Sequence, residues 1–243
     1  MRSTPKSTPN VAGEPAPVTA KCPCGVSFTH TPVMLFGKTI LERKFCDDCT
    51  SANVKTAEAE EEASKLAARE DKWHEACPPL YRDTDPSRIS AAAVRAASEW
   101  NAKGESGMGF TGETGKGKTR ALFLALRKAH EAGRSVYALS HNKFSKTVQE
   151  AFSGDGIEKG DARAILRKCQ QVQVLLIDDL GKPPPTERAD AELEEMIEHR
   201  AAHKLPILWS ANGSSVWLER RLGPDRGPAL VRRLSQFSKP VAI

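Results

Sequence analysis

The sequence contains no long apolar run. Nothing in its 243 residues approaches the ~18 to 20 consecutive apolar positions of a membrane-spanning helix, which argues against a membrane protein. The first twenty residues, MRSTPKSTPNVAGEPAPVTA, lack the apolar core of ~7 to 15 residues that marks a signal peptide. Internal repeats are missing too. Nor is there a strong charge bias. The net charge of +5 permits contact with nucleic-acid phosphates without requiring it. These absences leave a cytoplasmic protein with a polar, disordered tail over residues 1–20.

Six cysteines in such a chain point to metal ligands or free thiols rather than disulfides. Cys77 and Cys169 stand alone and read as buried thiols. The other four form two pairs, Cys22-Pro-Cys24 and Cys46-Asp-Asp-Cys49, with 21 residues between them. Paired cysteines at both ends of a short, loop-rich segment suit a tetrahedral structural zinc site. Residues 21–50 are therefore expected to be a zinc-binding module held by Cys22, Cys24, Cys46 and Cys49, with His30 as a substitute ligand. The segment has too few apolar residues to fold without the metal. Lys38, Arg43 and Lys44, beside Phe36 and Phe45, could meet single-stranded nucleic acid, or the module could dock a protein.

Residues 51–77 contain strong helix formers with an acidic first half and no Gly or Pro before Pro78, which predicts a solvated helical connector. From residue 78 the pattern alternates. Helices are predicted over 87–102, 118–132, 142–152, 161–171, 188–203, 214–222 and 229–236. Short strands are predicted at 108–111, 135–140, 172–177 and 207–210, with an edge strand at 240–243. Apolar strands alternating with helices give an α/β domain, a parallel sheet sandwiched by helices, over residues 78–243.

Between the first of these strands and its helix stands Gly112-Glu113-Thr114-Gly115-Lys116-Gly117-Lys118-Thr119, a G-x-x-x-x-G-K-[ST] sequence, followed by Arg120. Its glycines let the backbone bend around an anion, and the following amides point at phosphates. Lys118 is the candidate to bridge the β- and γ-phosphates of ATP, and the Thr119 hydroxyl to ligate Mg2+. The run Val174 to Gly181, VLLIDDLG, carries two carboxylates to the C-terminal tip of a buried strand, where parallel sheets bind ligands. Asp178 is the second Mg2+ residue, acting through water. Asp179 is the candidate to orient or deprotonate the attacking water.

At this point the chain resembles the AAA+ ATPases of the DnaC/IstB type over residues 77–243. The resemblance rests on the loop GETGKGKT, the strand LLIDDLG, the strand ILWSAN ending at Asn212, the segment Ala229 to Leu234, and the tract CPPLYRDTD from Cys77. It implies that Asn212 senses the water and γ-phosphate, and that Arg233, or the adjacent Arg232, reaches a neighbour's nucleotide as an arginine finger. It also implies a homo-oligomer built through ATP sites, acting on single-stranded DNA and a replicative helicase in DNA replication. An IstB-type transposase partner and a nucleotide-gated DNA-binding adaptor with little turnover are the alternatives. A small-molecule kinase would need an arginine-bearing lid where the Pro183–Pro185 turn stands. The sequence departs from the pattern in two ways. No segment remains for a C-terminal helical lid, and Asp179 stands where many AAA+ proteins have Glu, the shorter arm implying slow hydrolysis.

Overall fold

The computed structural model describes residues 15–35, 38–82, 85–153, 155–184, 186–223 and 226–243. Residues 1–14 of the expected tail, Phe36, Pro185 and Asp225 lie outside them. The chain divides into two compact units, Met1–Arg69 and Glu70–Ile243. Among the described residues no helix is long and apolar enough to cross a membrane.

The first unit begins with an antiparallel hairpin of β1 (Val18–Lys21) and β2 (Ser27–His30), followed by a second one of β3 (Val33–Leu35) and β4 (Lys38–Leu41). Strand β1 starts inside the segment expected to be disordered. Thr19 and Ala20 pair with Thr29 and Phe28, so the ladder supplies the order that composition alone did not indicate. Helix α1 spans Asp47–Ala76. It starts earlier than the connector expected from residue 51, because Asp47 and Asp48 occupy its first turn, where acidic groups favour the helix dipole. The unit boundary at Arg69/Glu70 falls within this helix, not at its end.

The second unit holds the last turns of α1, α2 (Pro79–Arg82), a 3₁₀ turn at Pro86–Arg88 and α3 (Ala91–Glu99). Helix α3 starts at Ser90, not at Ser87. Both the amide and the hydroxyl of Ser87 donate to Asp85, whereas Ser90 Oγ accepts from Ala93 N–H. The rest alternates as β5 (Gly107–Thr111), α4 (Lys118–Glu131), β6 (Val136–Ser140), α5 (His141–Ser153), α6 (Gly156–Gln171), β7 (Val174–Leu180), α7 (Glu187–Ala202), β8 (Ile207–Ala211), α8 (Ser215–Arg221), α9 (Gly227–Phe237) and β9 (Ser238–Ala242).

These strands form one parallel sheet in the order β6-β7-β8-β5-β9. The two-residue side-chain period divides the core between its faces. Val174, Leu176 and Leu208 pack with Phe110 and the apolar side of α4, while Leu175, Ile177 and Trp209 pack against α5, α7 and α9. Burial on both faces explains why β7 and β8 begin as apolar runs, over residues 174–177 and 207–209. Arg200 is buried among these elements and donates to the carbonyls of Cys169, Val172 and Pro206, tying the ends of α6 and α7 to the sheet.

Candidate functional site

The site gathers at the C-terminal ends of β5, β7 and β8. Residues 112–117 leave β5 and turn into α4 through two left-handed glycines, Gly115 (φ 89°) and Gly117 (φ 82°). A side chain at Gly117 would also place its Cβ 2.8 Å from the Arg88 carbonyl oxygen. Glycine is therefore required there both for the turn and for the close approach of the 3₁₀ segment. No side chain caps α4, so its first amides are available to an anion.

Lys118 is buried. Its Nζ donates to the carbonyls of Gly112 (2.9 Å) and Glu113 (2.6 Å), which folds the loop around the ammonium. Burial pulls its pKa below the ordinary lysine value, against the opposing pull of Asp179 and Asp178. The Thr119 hydroxyl lies 3.0 Å from both carboxylate oxygens of Asp178.

The β7–β8 register explains how two successive aspartates reach the site. Ile177 pairs with Trp209, and pairing resumes only at Leu180 with Ala211. The bulge between them releases Asp178 and Asp179 from pairing with β8, while Asp178 still pairs with Ser140 of β6. Ser210 fills that gap. Its hydroxyl donates to Asp178 Oδ1 (2.5 Å) and accepts the Asp179 backbone N–H (2.9 Å). Burial raises the Asp178 pKa, the Ser210 and Thr119 hydroxyls oppose that rise, and the Asp179 charge adds to it. Asp179 has φ 58°; its Oδ1 accepts from Asn212 Nδ2 (2.8 Å) and its Oδ2 pairs with Lys182 Nζ (2.7 Å).

These groups face one cleft of about 550 Å³, lined by Thr114, Gly115, Gly117 to Arg120, Asp178, Asp179 and Asn212, a volume that suits a nucleotide-sized ligand. Leu80, Tyr81, Arg88 and Lys182 complete its wall. Tyr81 stacks on Phe123 (centroids 4.8 Å apart), and Arg120 donates to the Leu80 carbonyl, holding α2 against α4. Gly112, Glu113 and Lys116 belong to the loop but not to the lining. Hydroxyl and carboxylate oxygens at Thr119 and Asp178 are hard donors that fit Mg2+, and a cation there would offset the adjoining carboxylate charges.

Arg232 and Arg233 lie away from the cleft on α9. Arg232 is exposed, and Arg233 pairs with Glu198 at 2.5 Å. Two other arginines near the C-terminal end of the sequence are engaged in a similar way. Arg226 bonds the Glu187 carbonyl and faces Glu194, and Arg221 bonds the carbonyls of Gly181, Lys182 and Pro183.

In the first unit, the Sγ atoms of Cys22, Cys24, Cys46 and Cys49 all lie within 4.8 Å of one another. Zn–S bonds of ~2.3 Å in a tetrahedron place sulfurs about 3.8 Å apart, and Cys24 and Cys46 are at 3.7 Å. The first pair sits in the β1–β2 turn, where Gly25 (φ 95°) folds the chain back and Cys22 N–H donates to Val26. The second pair sits at the start of α1. The four thiols interact by hydrogen bonding: Cys24 first, then Cys22 and Cys46, push the Cys49 thiol up to about 12, while at Cys22 burial is outweighed by hydrogen bonds within the cluster, which draw its thiol down to about 6. Four converging sulfur donors, one of them readily ionised, suit a divalent cation that prefers thiolates, so the residues present fit zinc. His30 is not a substitute ligand in this geometry. It pairs with Val18 at the far end of the hairpin, and its Nδ1 lies 3.3 Å from the Val18 carbonyl.

Sequence reasoning missed Ser210, Lys182 and Arg221. Ser210 was within reach, because it is the one polar residue in the apolar strand β8, two positions before Asn212. Lys182 and Arg221 act through a loop whose path no local pattern specifies.

No family model matches the chain. In sequence it is 29% identical over 129 residues to the insertion sequence ATP-binding protein y4pL of Sinorhizobium fredii (strain NBRC 101917 / NGR234), covering 52% of this chain and 50% of that protein. It is 31% identical over 106 residues to the insertion sequence IS1162 ATP-binding protein of Pseudomonas fluorescens, 44% of each. The chain thus spans about half the length of the curated relatives it matches. Among solved structures, the DnaC helicase loader aligns with a TM-score of 0.56 at 18% identity, covering 68% of this chain and 99% of that one. AMPPCP-bound DnaA from Aquifex aeolicus aligns at 0.51 and 21% identity, covering 66% and 51%. At these identities the structural matches establish the fold.

Proposed function

We propose that this chain, which has the P-loop fold of the DnaC/IstB-type AAA+ ATPases and sequence similarity to them, binds Mg–ATP in the cleft above α4 and hydrolyses it. One observation carries the reading: Lys118, the Thr119–Asp178 pair and the Asp179–Asn212 pair all converge on a single cleft. In this role the loop amides and Lys118 hold the phosphates, and Thr119 and Asp178 hold Mg2+, which supplies charge neutralisation at the β- and γ-oxygens. Asp179 receives a proton from the attacking water, and Asn212 fixes the carboxylate that receives it. Zinc on the four cysteines organises the first unit.

ATP occupancy then switches an assembly. Arg233 of one protomer leaves Glu198 to reach the nucleotide of the next, so turnover is slow in a lone chain and is completed in trans. The assembly grips single-stranded DNA and delivers a replicative helicase, in the cytoplasm. A second reading, delivery of a transposase, is favoured by the curated sequence relatives, which are insertion-sequence proteins. Co-purification with a hexameric helicase or with a transposase separates the two. The nucleotide site itself is tested by Lys118→Ala, which is expected to abolish ATP binding measured by titration calorimetry. Unchanged affinity in that variant overturns the proposal.

A further inference from the structure

Both carboxylate oxygens of Asp179 are engaged, one by Asn212 and the other by Lys182. The Lys182 side chain is 64% exposed, and an exposed ion pair of this sort ordinarily contributes little. Its backbone, in contrast, is fixed on both sides. Gly181 N–H donates to His141 Nδ1 (3.0 Å), and Lys182 N–H donates to the Asp179 carbonyl (3.1 Å). From α8, Arg221 donates to the carbonyls of Gly181 (2.9 Å) and Lys182 (3.2 Å). The loop is thereby pinned by α5 and α8, and Lys182 is held where it lines the same cleft as Lys118 and Arg120.

We propose that Lys182 is a positioning residue that exchanges Asp179 for the terminal phosphate of a bound nucleoside triphosphate. This rests on the nucleotide-binding reading above. Without a γ-phosphate, the ammonium stays on Asp179 and occupies the oxygen that the water proton needs. With a triphosphate bound, the γ-oxygens carry more charge than one carboxylate oxygen and draw the ammonium across. The freed Asp179 Oδ2 then takes a proton from water as the water oxygen bonds to the γ-phosphorus. The bridging P–O bond breaks in the same step, and its electron pair leaves on the diphosphate. Hydrolysis is in this way gated by the group being hydrolysed.

The test compares the full wild-type chain with Lys182→Met and Lys182→Arg, measuring Kd for Mg–ATP and Mg–ADP and single-turnover hydrolysis. Loss of one charge-assisted contact is worth about tenfold. Lys182→Met is therefore expected to weaken ATP about tenfold while leaving ADP unchanged, and Lys182→Arg to restore most of the difference. The inference is overturned if ATP and ADP weaken equally, which marks a structural role, or if neither changes. Failure of the nucleotide-binding reading looks different: wild type and Lys118→Ala then bind ATP alike, or neither binds it.

Discussion

Replacing Ser210 with alanine removes a single hydroxyl from a residue with no exposed surface, yet two partners lose by it. Asp178 loses a donor at 2.5 Å, and the Asp179 N–H loses its acceptor at 2.9 Å. A hydrogen bond to a charged group contributes about 1.5 to 3 kcal/mol, and stranding a buried donor costs about 1 to 3 kcal/mol. Local relaxation offsets part of the sum, leaving an expected loss of about 2 to 4 kcal/mol. In a unit of 174 residues (70 to 243), each kcal/mol lowers Tm by about 2 to 4 °C, so a fall of about 6 to 12 °C is expected for a loss near 3 kcal/mol. All four tryptophans (Trp73, Trp100, Trp209 and Trp217) lie in that unit, so intrinsic fluorescence during urea unfolding reports on it alone. A change below about 0.5 kcal/mol, the range of an ordinary surface substitution, would refute the shared-hydroxyl account. The same variant is expected to bind Mg–ATP more weakly, because Asp178, the Mg2+ residue of the proposed site, and Asp179 beside it both lose their anchor.

Two further predictions concern His141 and the cysteine cluster. Burial lowers the His141 pKa from 6.5 to about 4, so between those values the unfolded chain holds a proton that the folded chain does not. Stability is then complete above pH 6.5 and is lost as pH falls towards 4, by up to about 3 kcal/mol for this one group. His141→Gln keeps an acceptor for Gly181 N–H and is expected to remove that part of the pH dependence; equal acid sensitivity in both proteins, followed by urea midpoints at pH 7 and pH 4, contradicts the assignment. For the first unit, elemental analysis is expected to find about one zinc ion per chain. A Cys22→Ser, Cys46→Ser double variant should lose it, and an unchanged metal content in that variant would exclude the cluster as the binding site.

Much of this architecture was legible because it is written in local patterns. The loop at 112–119 is dense in glycine at fixed spacing, and the buried strands β7 and β8 begin with the apolar runs 174–177 and 207–209, so their order along the chain could be read directly. The parallel sheet follows from helices alternating with such strands. What could not be read depends on where elements meet. Ser87 and Ser90 are equally good helix caps in sequence, and only the nearby Asp85 decides between them. His30 looks like a ligand until the hairpin register carries it to the far end of β2. The bulge that frees Asp178 and Asp179 is invisible in an apolar run, because it is set by pairing with β8. Likewise, no local pattern shows that Arg221, Arg226 and Arg233 are engaged with carbonyls and carboxylates of neighbouring elements.

The left-handed backbone at Asp179 bears on a choice that the sequence left as a departure from pattern. Outside glycine, aspartate and asparagine are the residues that most readily occupy this region, because a short polar side chain can bond locally. Asp179 does so, with Asn212 on one oxygen and Lys182 on the other. A glutamate at this position carries an extra methylene, which displaces both contacts and adds strain of about 1 to 2 kcal/mol. The length of the carboxylate arm is thus selected by the shape of the peptide chain before chemistry has any say. Asp179→Glu, which lengthens the carboxylate arm, has to rebuild the turn before it can act on the proposed hydrolysis.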